Sequence, residues 1–192
     1  MATVLFISEE TLKQESIISE NVDPKLLVPT IKEAQNVYLL PILGTSLYNQ
    51  LVTQVSSNTV SAANVTLLDT YITPTLVKYC VYESILPLSF KFQNKNIATK
   101  NSEFSNQASL DDLRYLLDYT KNRAEWYAER LTNFLLANTS TYPLYLTQPN
   151  ANIDTIYPND NNYQNGMYLG PDIDWDLVPP SIKYQGNFRR RT

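Results

Sequence analysis

The stretch SLDDLRYLLDYTKNRAEWYAERLTNFLLA, residues 109–137, decides the fold class. Ser109-Leu110-Asp111-Asp112 is a capping box with Asp in place of Glu: a short hydroxyl side chain and an acid three residues on satisfy each other's backbone N–H groups. Behind it, Leu113, Leu116, Leu117, Ala124, Tyr127, Leu131, Phe134 and Leu135 recur at helical spacing. Asp118, Lys121, Arg123, Glu125, Glu129 and Arg130 cover the other side. The pattern predicts an amphipathic helix over about 110–137, roughly 40 Å long at 1.5 Å per residue. A helix of that length with one apolar stripe needs other helices to cover it, so the chain reads as an all-α helical bundle.

Working back toward the N-terminus, residues 75–90 carry Leu76, Tyr79, Cys80, Tyr82, Ile85 and Leu86, apolar almost all round, with Glu83 among them. Such a helix belongs at the centre of a bundle, or between a bundle and a subunit interface. Pro74 is expected to break or kink the stretch before it, and Pro87 to kink or end it near its last turn. Asp23-Pro24 reads as an N-cap followed by Pro at the first helical position. Leu27, Ile31, Ala34 and Tyr38 follow at helical spacing, Pro29 predicts a local irregularity, and Pro41 with Gly44 predicts the end. Ser8 with Glu9 and Glu10 starts a short helix to about Gln14, and Thr45 or Ser46 opens another with Leu47, Leu51 and Val55 on one side. Phe90-Lys91-Phe92-Gln93 alternates at period two, which suits a short central hairpin or loop arm before the long helix.

Beyond Ala137 the periodicity stops. Residues 139–192 hold Pro143, Pro149, Pro158, Pro171, Pro179 and Pro180, much Asn, and a series of large aromatics. Disordered linkers are depleted in aromatics, and rigid aromatic side chains are what interface anchors are made of. The division expected is therefore a helical domain over 1–138 and an extended arm over 139–192. The arm's partner-facing residues would be Tyr142, Tyr145, Tyr157, Tyr168, Ile173, Trp175, Leu177 and Tyr184, with Arg189, Arg190 and Arg191 for an acidic or phosphate surface. Truncation after Ala137 should then leave a folded helical domain.

Composition narrows the chemistry. There is no histidine, which removes the commonest general acid–base group and the middle member of Ser-His-Asp and Cys-His arrangements. One cysteine, Cys80, permits no internal disulfide. Asp172-Ile173-Asp174-Trp175-Asp176 has the spacing of half a calcium loop, but Leu177 and Lys183 stand where Gly and Glu are needed. It reads instead as a strand with Ile173, Trp175 and Leu177 toward a partner. No metal or cofactor is expected, and Glu83 reads as pairing with a Lys, Arg or Tyr rather than as a catalytic acid. The net charge of −4 opposes general nucleic-acid binding. An acidic wall still lets DNA slide past, and Lys91, Lys95 and Lys100 could line such a passage. No run of about 20 apolar residues is present to span a bilayer.

The helical part resembles the head–tail connector (adaptor) proteins of crAss-like and related tailed phages of Bacteroides-type hosts. The stretches that carry the resemblance are Leu5-Phe6-Ile7-Ser8-Glu9-Glu10-Thr11-Leu12-Lys13, Asn21-Val22-Asp23-Pro24-Lys25-Leu26-Leu27, Ile31-Lys32-Glu33-Ala34-Gln35 and Tyr38-Leu39-Leu40-Pro41-Ile42-Leu43-Gly44-Thr45. Tyr79 to Asn94 and the capping box before the long helix also fit. The resemblance implies an all-α connector fold and a structural, non-enzymatic role in the virion neck, assembled in the host bacterial cytoplasm. It implies a ring of about 12 copies (the number typical of such adaptors) that docks on the portal protein, meets the next neck or tail ring, extends the channel for double-stranded DNA and joins capsid to tail. Another neck, tail-completion or collar subunit is the alternative within the same class. A small helical ligand-binding or enzymatic domain is the alternative outside it.

Overall fold

The computed structural model describes residues 4–92, 97–99, 109–149 and 154–158. The elements it contains follow from the caps. Ser8 Oγ accepts from Thr11 N–H and starts α1 (Glu9–Gln14). Asp23 accepts from Lys25 N–H and starts α2 (Pro24–Ala34), with Pro24 where its missing N–H costs nothing. Pro29 is carried within α2 without a break. Ser109 and Asp112 form the reciprocal capping box of α7 (Leu110–Ala137): Ser109 Oγ accepts from Asp112 N–H at 3.1 Å, and Asp112 Oδ2 accepts from Ser109 N–H at 3.2 Å.

Two prolines that read as helix breakers do not break their helices. Pro41 lies in α3 (Leu40–Leu43) and Pro74 in α6 (Thr73–Ser89), and each is preceded by one wide π turn, Gln35–Leu39 and Leu68–Ile72. In each case the residue just before the proline donates five residues back: Leu40 N–H to the Gln35 carbonyl, Thr73 N–H to the Leu68 carbonyl. The wide turn moves the carbonyls that a proline ring would otherwise strike, so the backbone continues where an α-turn could not. Pro24 to Leu43 is thus one run, and so is α5 (Ala62–Leu67) through α6. Gly44, at φ 73, ends the first run and leads directly into α4 (Thr45–Ser56).

α6 is the central helix. Its buried residues, Thr75, Leu76, Val77, Tyr79, Cys80, Val81, Ser84 and Ile85, fall all round its circumference. α2 and α7 are its two main neighbours. The core closes with Leu27 and Ile31 of α2, Leu47 and Leu51 of α4, and Ala124, Leu131 and Leu135 of α7. Ring stacking locks the layers: Tyr38 lies parallel to Tyr79 at 4.2 Å, and Tyr71 to Phe134 at 3.8 Å. After α6 the chain turns into an antiparallel hairpin, β1 (Phe90–Phe92) with β2 (Ile97–Thr99), in the register Phe90↔Thr99, Lys91↔Ala98, Phe92↔Ile97. The described fold is mostly helical, as the amphipathic pattern predicts.

The helical body does not stop at residue 138. A 3₁₀ turn, Pro143–Tyr145, folds back on it. Tyr142 and Tyr145, expected above as partner anchors on an arm, are core residues at 4% and 0% exposure. Tyr142 donates to the Ala63 carbonyl at 2.8 Å and packs beside Phe134. The expected boundary at 138/139 is corrected accordingly: the body continues through the described residues to Pro158.

Candidate functional site

α7 has two faces. Thr120, Ala124, Ala128, Leu131, Thr132 and Leu135 are buried against the body. At about 100° per residue the opposite face carries Tyr115, Leu116, Tyr119, Arg123 and Trp126 within an arc of about 100°. These are exposed: Tyr115 by 74%, Tyr119 by 46% and Trp126 by 58%. They organise one another. Tyr115 and Tyr119 lie nearly parallel at 6.5 Å, the Arg123 guanidinium sits 4.9 Å above the Tyr119 ring, and Trp126 meets Tyr127 edge-on at 4.9 Å. Among the described residues, no carboxylate pairs with Arg123.

Tyr, Trp and Arg are the residue types that dominate binding energy at protein interfaces, since they bring large contact area with few rotatable bonds. Here Tyr115, Tyr119 and Arg123 already rest on one another, so less of their side-chain freedom would be lost on docking. Leu110, exposed by 67% in the first turn, lies on the other side of the helix, in line with the core-facing residues. The capping box holds that end in place, and the Ser109 hydroxyl and N–H keep the Asp112 carboxyl below its usual range.

The expected site residues fall as follows. Tyr142 and Tyr145 belong to the core. Tyr157 is exposed by 60% on the segment that returns to α4. Tyr168, Ile173, Trp175, Leu177, Tyr184, Arg189, Arg190 and Arg191 lie outside the described residues, as do the acids at 172–176 and Lys95 and Lys100. Lys91 stands on β1 opposite Ala98. Glu83 meets the tyrosine foreseen for it: Tyr38 Oη donates to Glu83 Oε1 at 2.5 Å. Burial, and then Glu83 itself, push the Tyr38 phenol well above the usual tyrosine range. Burial likewise pushes the Cys80 thiol up, so that sulfur is a poor nucleophile. Among the described residues no cluster of three His, Cys, Asp or Glu side chains could hold a metal ion, and no helix is long and apolar enough to cross a membrane.

The return of the chain is built by hydrogen bonds to α4. Gly44, the N-cap of α4, has no side chain to cap with. Gln148 Oε1 accepts from Ser46 N–H at 3.1 Å and from Ser46 Oγ at 2.6 Å. The Ile156 carbonyl accepts from Thr45 N–H at 2.9 Å, and Ile156 N–H donates to Thr45 Oγ1 at 2.8 Å. Two orphan donors of α4's first turn, the Thr45 and Ser46 N–H groups, are thus satisfied by Ile156 and Gln148.

A family model described as a family of unknown function, DUF6712, matches residues 39–155. The chain belongs to that family. The matched region begins in the first π turn and contains α4 to α7, the whole outer stripe of α7, and the Tyr142–Tyr145 return. The family's unit therefore extends past Ala137, in agreement with the packing. No curated protein and no solved structure matches the chain.

Proposed function

We propose that the protein is a structural virion component, one subunit of a ring in the neck of a tailed phage. In this reading the ring docks on the portal protein, meets the next neck or tail ring, extends the DNA channel and joins capsid to tail. It would hold about 12 copies, the number the resemblance to phage head–tail adaptors implies. The observation that carries the reading is the outer stripe of α7: Tyr115, Leu116, Tyr119, Arg123 and Trp126, exposed on the face turned away from the core, with Tyr115 and Arg123 arranged about the Tyr119 ring. A lone subunit gains nothing from holding that surface in water, whereas a subunit of an assembly buries it. The acidic net charge of −4 suits a wall that DNA passes without sticking.

The test is native mass spectrometry and negative-stain imaging of the purified full chain, alone and mixed with the portal protein of the same phage. Rings, or density bound to the portal, are expected. A strictly monomeric protein that ignores the portal overturns the reading.

A further inference from the structure

We infer that the α7 stripe is covered by α2 of a second copy of this chain, with Glu33 meeting Arg123 at the centre of the contact. The inference rests on the ring reading and names the face that closes it.

α2 and its π turn carry a second exposed row, Leu26, Pro29, Glu33 and Val37, separate from the buried Leu27, Thr30, Ile31 and Ala34. Leu26 is 37% and Val37 is 53% exposed. Among the described residues no basic group pairs with Glu33. The row on α7 is Leu116, Tyr119, Arg123 and Trp126. Both rows step i, i+3, i+7 and then one more turn, and each is apolar except at its third position. That position is an unpaired acid on α2 and an unpaired guanidinium on α7. Laid side by side and parallel, Leu26 meets Leu116, Pro29 meets Tyr119, Glu33 meets Arg123 and Val37 meets Trp126. The α7 row rises by about 15 Å and the α2 row, whose last step lies in the π turn, by about 16 Å, so apolar partners and the charge pair register together to within about a residue.

The placement suits a ring. α2 and α7 each pack on α6, so the two rows are different surfaces of one subunit. A contact between different surfaces is head-to-tail, and a head-to-tail contact closes into a ring when its rotation divides the circle. A two-fold dimer would instead need one surface to match itself: with parallel helices the α7 row sets Arg123 against Arg123, with antiparallel helices it sets Arg123 against Tyr119, and neither arrangement gives Glu33 a cation.

The test uses full-length chains. Glu33→Arg or Arg123→Glu alone is expected to weaken self-association roughly 10- to 100-fold in sedimentation velocity, because each places like charges in the contact. Combining Glu33→Arg with Arg123→Glu in one chain should restore it. Both side chains are exposed, so folding is checked simply by unchanged circular dichroism. In parallel, Glu33→Cys protein mixed with Arg123→Cys protein should join through a short bismaleimide, while either alone should not, Cys80 being buried. Rings without a 33–123 cross-link, or without charge-swap rescue, overturn this pairing and leave the ring reading standing. Efficient 123–123 cross-linking overturns it in favour of a two-fold contact. Monomers throughout, with and without portal, overturn both.

Discussion

Tyr145 gives the sharpest test of where the folded body ends. Its side chain is 0% exposed although it lies eight residues beyond the last residue of α7. Replacing a fully buried aromatic by alanine removes its transfer free energy and leaves a cavity, at a cost of about 3–5 kcal/mol. A domain of this kind has a net stability of about 5–15 kcal/mol, so Tyr145→Ala should remove a large share of it. At this chain length, about 4 kcal/mol corresponds to a fall in Tm of roughly 8–16 °C. Urea denaturation followed by far-ultraviolet circular dichroism is the assay, with Tyr157→Ala as control. Tyr157 is 60% exposed, and its loss should change stability by no more than about 0.5 kcal/mol. The same reasoning extends to truncation. A chain ending at Ala137 loses Tyr142, Tyr145 and the partners of Thr45 and Ser46 together, and should not fold cooperatively, whereas a chain ending at Pro158 should. A cooperative 1–137 fragment, or a Tyr145→Ala variant within about 1 kcal/mol of wild type, refutes the assignment of the return segment to the core.

Three further outcomes are expected. Gly44→Ala should destabilise by about 1–3 kcal/mol in the same denaturation assay, because φ 73 disfavours a side chain and a Cβ would stand 2.8 Å from Pro158 Cδ. Asp112 has its carboxyl held below the usual range, so its contribution to the start of α7 is complete above the ordinary carboxylate pKa of about 3.9 and is lost as pH falls below it; Asp112→Asn should flatten that acid-side loss in amide exchange at residues 110–113. Tyr79, pushed up to about 12 by burial and then by Glu125, contributes stability that is complete below pH 10 and is lost as pH rises from 10 to 12; Tyr79→Phe should remove that part of the alkaline unfolding profile.

Much of the fold was legible because caps and apolar spacing are local signals. Ser109 with Asp112, Asp23 with Pro24, and Ser8 with its two glutamates each mark a helix start within a few residues of the chain. The prolines were not legible in the same way. Whether Pro41 and Pro74 end a helix depends on whether the turn before them can widen, and nothing in their immediate sequence announces a π turn. Tyr142 and Tyr145 show a different limit. An aromatic in a segment without periodicity looks the same whether its pocket lies in its own domain or in a partner. The outer stripe of α7 was hidden by the charges around it. Tyr115, Tyr119 and Trp126 sit among Asp118, Lys121, Arg123 and Glu125, so that side reads as solvated until the spacing of the three aromatics, out of phase with Ala124 and Leu131, is noticed.

In the proposed ring, the outer face of α7 is the assembly surface. Native mass spectrometry of the full chain with the portal protein, compared with a Tyr119→Ala/Trp126→Ala variant that keeps its circular dichroism, tests it most directly. Multimeric species are expected for wild type, and their loss in the variant. Assembly of the variant at wild-type concentrations, or a wild type that remains monomeric beside the portal, contradicts it.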